Sequence, residues 1–160
     1  STPLYSSAAS DVYKRQQYES TLIVFTSDHG EQLGDHYLFG KLGYFDASYH
    51  IPLIIRDPKR QLQNVKTLEH FSESVDVMPT ILDWLGLEIP DQCDGRSLLP
   101  FLENEIPRNW REEVHSEFDF RWIGSYQPMI EERFGLLPDE CSLVIIRDDD
   151  YKYVHMKVFH

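Results

Sequence analysis

Thr21 to Glu31 reads TLIVFTSDHGE, and the fold turns on the contrast between its two halves. Thr21 to Thr26 is a continuous β-branched and aromatic run without alternation. Such a run predicts a strand covered on both faces, as in a mostly parallel sheet flanked by helices. Ser27-Asp28-His29-Gly30-Glu31 turns polar at once. The next strand-like run is Ile51 to Arg56 (IPLIIR), stopped by the turn signal Asp57-Pro58. Between the two runs lies a loop of about 24 residues holding Gly30, Gly34, Gly40 and Gly43, and loops of that length in compact domains usually carry function.

Further along, Ser74 to Gly86 (SVDVMPTILDWLG) predicts an amphipathic helix. Val75, Met78, Leu82 and Leu85 or Gly86 repeat at helical spacing, Ser74 or Asp76 can cap the start, Pro79 is tolerated early, and Gly86 closes the helix. Its apolar face is expected to pack on the sheet. Leu87 to Gly95 is turn-rich, and Ser97 to Leu102 predicts a short helical turn. Val114 to Phe120 and Leu143 to Arg147 read as strands, and Tyr151 to Val158 alternates as a half-solvated antiparallel strand does. Asp148-Asp149-Asp150 lacks the spaced ligands and distal Glu of a calcium loop, so it reads as a hairpin turn. The order predicts an α/β core over 17–106 and a smaller antiparallel α+β portion over 107–160. Residues 1–16 (STPLYSSAASDVYKRQ) have no periodicity and no Met, and read as a foreign junction sequence, the alternative being a disordered native terminus.

The chain has 160 residues, 27 acidic against 15 basic, for a net charge of −12. Its length fits one ordinary domain of roughly 100–200 residues, and 41% hydrophobic with 13% aromatic content excludes intrinsic disorder. So acidic a chain is not a generic nucleic-acid binder, which needs surplus Lys and Arg on its binding face. No apolar run approaches the ~20 residues of a membrane-spanning helix. Cys93 and Cys141 form no CxxC pair and are too few for a disulfide framework. No basic segment followed by an apolar core stands at the start, so no signal peptide is visible.

Asp28 and His29 follow directly on the first strand run, where open α/β sheets place ligands. In a loop, adjacent residues can reach one cation, and a carboxylate with an imidazole suits manganese or zinc, whereas calcium prefers oxygen ligands throughout. As an isolated dipeptide, Asp-His more often makes an Asx turn. Lys41, between Gly40 and Leu42-Gly43, could hold an anionic ester oxygen; on composition alone it is a solvated surface lysine. Glu31 and His36 are candidates for contacts behind the metal ligands or to the substrate, though His36 and Asp35 could simply brace the loop. Tyr44, Phe45, Tyr49 and His50 read as core more readily than as a pocket lining, and Trp84 as a packing residue. His115, Glu117, Asp119 and Arg121 alternate along a strand and read as a solvated face or an ion-paired interface.

Taken together, Phe25-Thr26-Ser27-Asp28-His29-Gly30-Glu31-x-x-Gly34-Asp35-His36, then Gly40-Lys41, then Ile51-Pro52-Leu53 resemble the metal-binding segment of the sulfatase family in the alkaline phosphatase superfamily. Leu42-Gly43-Tyr44-Phe45-Asp46 and His115-Ser116-Glu117-Phe118-Asp119-Phe120-Arg121 resemble its phosphonate monoester hydrolase and aryl sulfatase branch. Asp76, Pro79-Thr80, Leu82, Gly86 and Asp94-Gly95-x-Ser97-Leu98-Leu99 continue the likeness, which covers about residues 18–158.

The resemblance implies an alkaline-phosphatase-like sheet, Asp28 and His29 as ligands of one divalent metal ion (calcium or manganese, with zinc a further alternative), and Lys41 on the anionic oxygens of a sulfate or phosphonate ester. The family nucleophile is a formylglycine made from Cys or Ser in a C/S-x-P-x-R motif. Cys93-Asp94-Gly95-Arg96 and Cys141-Ser142-Leu143-Val144 do not match it, and the family's N-terminal acidic ligands and its further histidine and lysine have no counterpart here. The implied protein is therefore part of a longer metal-dependent sulfatase-like hydrolase, inactive alone. A competing reading is a non-catalytic anion- or metal-binding domain. Expected partners are a small sulfate or phosphonate ester and, for the parent, copies of itself, with neither nucleic acid nor membrane; the expectation is a soluble protein of the cytoplasm or periplasm.

Overall fold

In the computed structural model, residues 17–60, 67–121 and 127–159 are described; the expectation for 1–16 lies outside them. The strands are β1 (Ile23–Thr26), β2 (Gln32–Leu33), β3 (Phe39–Gly40), β4 (Leu53–Arg56), β5 (Val114–Asp119), β6 (Cys141–Arg147) and β7 (Lys152–Val158). The helices are α1 (Asp46–Tyr49), α2 (Val77–Trp84), α3 (Leu99–Leu102) and α4 (Gln127–Phe134). Contacts divide the chain into two units, one from Ser1–Asp28 and Ile51–Thr67, the other from His29–His50 and Leu68–His160. No helix among the described residues is long and apolar enough to cross a membrane.

In the first unit β1 and β4 pair antiparallel, from Ile23 opposite Arg56 to Thr26 opposite Leu53. Both apolar runs are thus strands, but the expected parallel sheet is not seen: every pairing among the described residues is antiparallel. An apolar run reports cover on its faces and carries no record of the direction of its neighbour. Phe25 and Ile54, direct partners across this ladder, are 58% and 61% exposed, so the expected cover on both faces is also missing here. The Arg56 guanidinium lies 3.7 Å from the Tyr18 ring centre and donates to the Thr21 carbonyl at 3.1 Å, tying the approach to β1 against β4.

The second unit holds the sheet β5-β6-β7, antiparallel throughout. Phe120, Ile130 and Cys141 are buried together, packed by Phe118, Leu136, Leu143 and Met156. Phe118 and Phe120 meet edge to face at 5.2 Å. The hairpin turn forms where the aspartates predict it: the Asp148 carboxylate accepts the amides of Asp150 (2.8 Å) and Tyr151 (2.5 Å), and the Asp148 amide donates to the Tyr151 carbonyl. Helix α4 was not anticipated, because Met129-Ile130 followed by Glu131-Glu132-Arg133 shows no apolar repeat.

A 3₁₀ turn, Ser74–Asp76, leads into α2. Gly86 ends the helix with φ +71°, and the bonds Gly86 N–H to Asp83 C=O and Leu87 N–H to Leu82 C=O make a Schellman closure. The face that packs is not the expected one. Val75, Met78 and Leu85 are 51–55% exposed, whereas Asp76, Pro79 and Thr80 are buried. Asp76 accepts the amides of Glu73 and Arg96, both at 2.8 Å, and the guanidinium of Arg111. Thr80 Oγ1 accepts the Leu98 amide at 2.9 Å and donates to the Asp76 carbonyl at 2.6 Å. Periodicity identifies an apolar stripe without naming its partner, and here hydrogen bonds to 96–98 and 111 decide the packing.

Candidate functional site

The polar stretch after β1 doubles back on itself within the second unit. Gln32 pairs with Gly40 and Leu33 with Phe39, around a tip in which Gly34, His36 and Tyr37 take φ of +111°, +54° and +60°. Left-handed conformations at two non-glycine residues are strained and persist only where the surroundings hold them. Here the Gly34 amide bonds the Leu38 carbonyl at 2.9 Å, and the His36 ring stacks on Phe45 at 3.9 Å. One residue beyond the Gln32–Gly40 pair stand Glu31 on one side and Lys41 on the other. The ladder therefore places Lys41 at the end of the hairpin from which His29 leads in.

Gln32 fastens this end. It is fully buried, and its amide nitrogen donates to the Leu42 carbonyl at 2.7 Å and to Ser48 Oγ at 2.8 Å. Its Oε1 has no hydrogen-bond partner among the described residues. Gly30 lies against α1: its amide donates to the Ser48 carbonyl at 2.9 Å, and a Cβ at Gly30 would collide with the Ala47 carbonyl. A close approach of two backbones requires glycine here.

His29 Nδ1 is 2.7 Å from the Gly30 carbonyl. A carbonyl only accepts, so Nδ1 donates this bond, which orients the ring. Asp28, exposed, ends the first segment of the first unit, and His29, half-buried, begins the second unit. Their donor types, a carboxylate and an imidazole, fit a divalent cation. Among the described residues no group of three His, Cys, Asp or Glu side chains could hold a metal.

Lys41 is exposed on the segment between Gly40 (φ +84°) and Gly43 (φ +82°), and its ammonium meets no carboxylate among the described residues. Glu31 and His36 are exposed, and His36 makes an aromatic stack in place of the hydrogen-bonded brace that its position suggested. Phe45 stacks in turn on Tyr44 at 4.8 Å. Burial raises the Tyr49 phenol above its ordinary pKa. His115 and Glu117 are exposed, and Asp119 is bonded to Arg121, as a solvated strand face predicts. That hydrogen bond holds the Asp119 carboxyl below its ordinary pKa.

Sequence reasoning gave no role to Gln32 and quoted Asp46 only within a motif. Asp46 receives Arg147 and Lys152, and Lys152 Nζ also donates to the Tyr44 carbonyl at 3.1 Å. Partial burial pushes the Asp46 carboxyl up, but hydrogen bonds and charge from Lys152 and Arg147 outweigh it and hold the group below its ordinary value. Partners about a hundred positions away leave no local signal.

Comparison with known proteins gives these features a family. The sulfatase family model matches residues 9–87. The chain is 56% identical over 139 residues to the multifunctional alkaline phosphatase superfamily protein PehA of Trinickia caryophylli, covering 87% of this chain and 27% of that protein. It is 33% identical over 141 residues to an N-acetylglucosamine-6-O-sulfatase of Bacteroides thetaiotaomicron, covering 87% of this chain and 23% of that enzyme. Among solved structures, the phosphonate monoester hydrolase of Silicibacter pomeroyi superposes with a TM-score of 0.80 at 42% identity, over 94% of this chain and 29% of that one. The chain thus spans between about a fifth and a third of the length of the relatives it matches. The matched family segment, the 56% identity and the close superposition together show that this chain carries a sulfatase family segment and has homologues in the alkaline phosphatase superfamily.

Proposed function

We propose that these residues are the part of a longer sulfatase-like hydrolase that binds metal and anion, acting on sulfate monoesters or on phosphonate and phosphate esters. The observation that carries this reading is the β2–β3 ladder, which sets the uncommitted cation Lys41 at the same hairpin end as His29. Asp28 and His29 supply a carboxylate and an imidazole to one divalent cation, calcium, manganese or zinc. When bound, such a cation stabilises negative charge on the reacting oxygens. The remaining ligands and the nucleophile come from outside these 160 residues, which contain no Cys in the formylglycine motif.

The chain's own residues have separable tasks. The Gly30 carbonyl, accepting from His29 Nδ1, orients the ring. Lys41 places an ammonium against the ester's anionic oxygens, giving a local positive charge that the net charge of −12 conceals. Relatives bearing both sulfatase and phosphonate hydrolase names support a site for a tetrahedral anion rather than for one leaving group. The test is steady-state hydrolysis of an aryl sulfate and an aryl phosphonate monoester by the full-length protein and its Lys41→Ala variant. Turnover of at least one ester, with KM raised about tenfold or more by loss of Lys41, is expected. Absence of turnover would favour a non-catalytic binding domain, and an unchanged KM would overturn the role of Lys41.

A further inference from the structure

The segment that carries Lys41 is held at two places. On one side Gln32 pairs with Gly40 and bonds the Leu42 carbonyl. On the other, Lys152 bonds the Tyr44 carbonyl while Asp46 receives both Lys152 and Arg147. Arg147 and Lys152 are direct partners across the β6–β7 ladder. Two like charges on one rung of a sheet repel, and a carboxylate bonded to both relieves that repulsion. Asp46 therefore belongs to that rung electrostatically, although it lies far from it in sequence. The three side chains are 48%, 40% and 23% exposed, so the cluster is a surface network whose contribution to global stability is small. Its bonds reach the chain at Tyr44 and Asp46.

We propose that Asp46 is a positioning residue for substrate binding: by clamping the Gly40–Asp46 segment to the Arg147–Lys152 rung, it sets the backbone from which Lys41 reaches the substrate anion. The proposal rests on the reading of Lys41 as the anion-binding cation. It gives the β6–β7 hairpin, which packs its own core elsewhere, a part in the reaction. The clamp commits Lys152 and Arg147 to a carboxylate, while Lys41, the one basic residue between Gly40 and Asp46, meets none among the described residues.

The test uses the full-length protein with an aryl phosphonate monoester as probe, comparing Asp46→Asn, Asp46→Glu, Lys41→Ala and the Asp46→Asn/Lys41→Ala pair. Asp46→Asn is expected to raise KM about tenfold with a smaller change in kcat, Asp46→Glu to recover most of it, and the pair to be no worse than Lys41→Ala alone. Amide exchange over 40–44 is expected to quicken in Asp46→Asn without change elsewhere. Wild-type KM in Asp46→Asn, or the same factor of loss on the Lys41→Ala background, would overturn the proposal while leaving the anion site standing. A silent Lys41→Ala would remove the anion site and the proposal together. If Asp46→Asn fails to fold, Lys152→Met and Arg147→Met make the same comparison, and unchanged exchange over 40–44 in both would equally overturn it.

Discussion

Asp76 and Arg111 form a two-point ion pair in which the carboxylate has no solvent exposure and the guanidinium side chain is 11% exposed. The remaining capacity of the carboxylate is taken by the Glu73 and Arg96 amides, so a single anion joins the start of α2, the turn at 95–98 and the segment before β5. Removing the cation strands a buried charge. Arg111→Met is expected to lower unfolding stability by about 3–5 kcal/mol, read from the urea midpoint, and Asp76→Asn in that background to recover part of the loss. A loss within ~0.5 kcal/mol in Arg111→Met would contradict the buried-pair account.

Thr80 offers a cleaner test of the same packing. Its hydroxyl is buried and satisfies the Leu98 amide. Thr80→Val keeps the shape and leaves that amide unpaired, which should cost about 1–3 kcal/mol. Thr80→Ser keeps the bond and should cost less, a ranking that parallel denaturation curves would check.

Gly30 tests the coupling between backbone packing and metal affinity. Because its amide donates to Ser48 and a Cβ would strike the Ala47 carbonyl, Gly30→Ala must displace the residue whose carbonyl orients His29. Metal affinity should fall about 10–100-fold, the usual effect of disturbing the partner of a metal-binding histidine. Isothermal titration of metal into the full-length variant would show it, and an affinity equal to wild type would refute the link.

The Asp46 cluster gives a pH signature. Its folded pKa lies below the ordinary value, so its contribution to stability is present above the unfolded pKa and is lost as pH falls through the folded one. The stability difference between wild type and Asp46→Asn should therefore hold at neutral pH and close only in acid below the ordinary aspartate range. Lys152→Met should move the Asp46 titration, followed by carboxyl NMR, back up.

Much of the second unit was legible in the sequence. Alternation in Tyr151 to Val158 and the three aspartates specified β7 and its turn, because side-chain period and turn chemistry are local. Gly86 likewise marked the end of α2. The β1–β4 direction was not legible, since a chain that leaves one strand can return on either side of it, and a run such as Leu22-Ile23-Val24-Phe25 looks the same both ways. Nor was the exposure of Val75 and Met78, which follows from the buried Asp76 and Thr80 bonds. Asp28, His29 and Lys41 were legible as residue types. That a two-rung ladder would bring Lys41 to the His29 end depended on left-handed turns at His36 and Tyr37, which are uncommon outside glycine and leave no periodic signal.

The most direct test of the central claim is the metal content of the full-length protein beside its Asp28→Ala variant, measured by elemental analysis after exhaustive dialysis. The account predicts one divalent ion per chain in the wild type, and loss of that ion and of ester hydrolysis together in Asp28→Ala. A variant that keeps both its metal and full activity would contradict it.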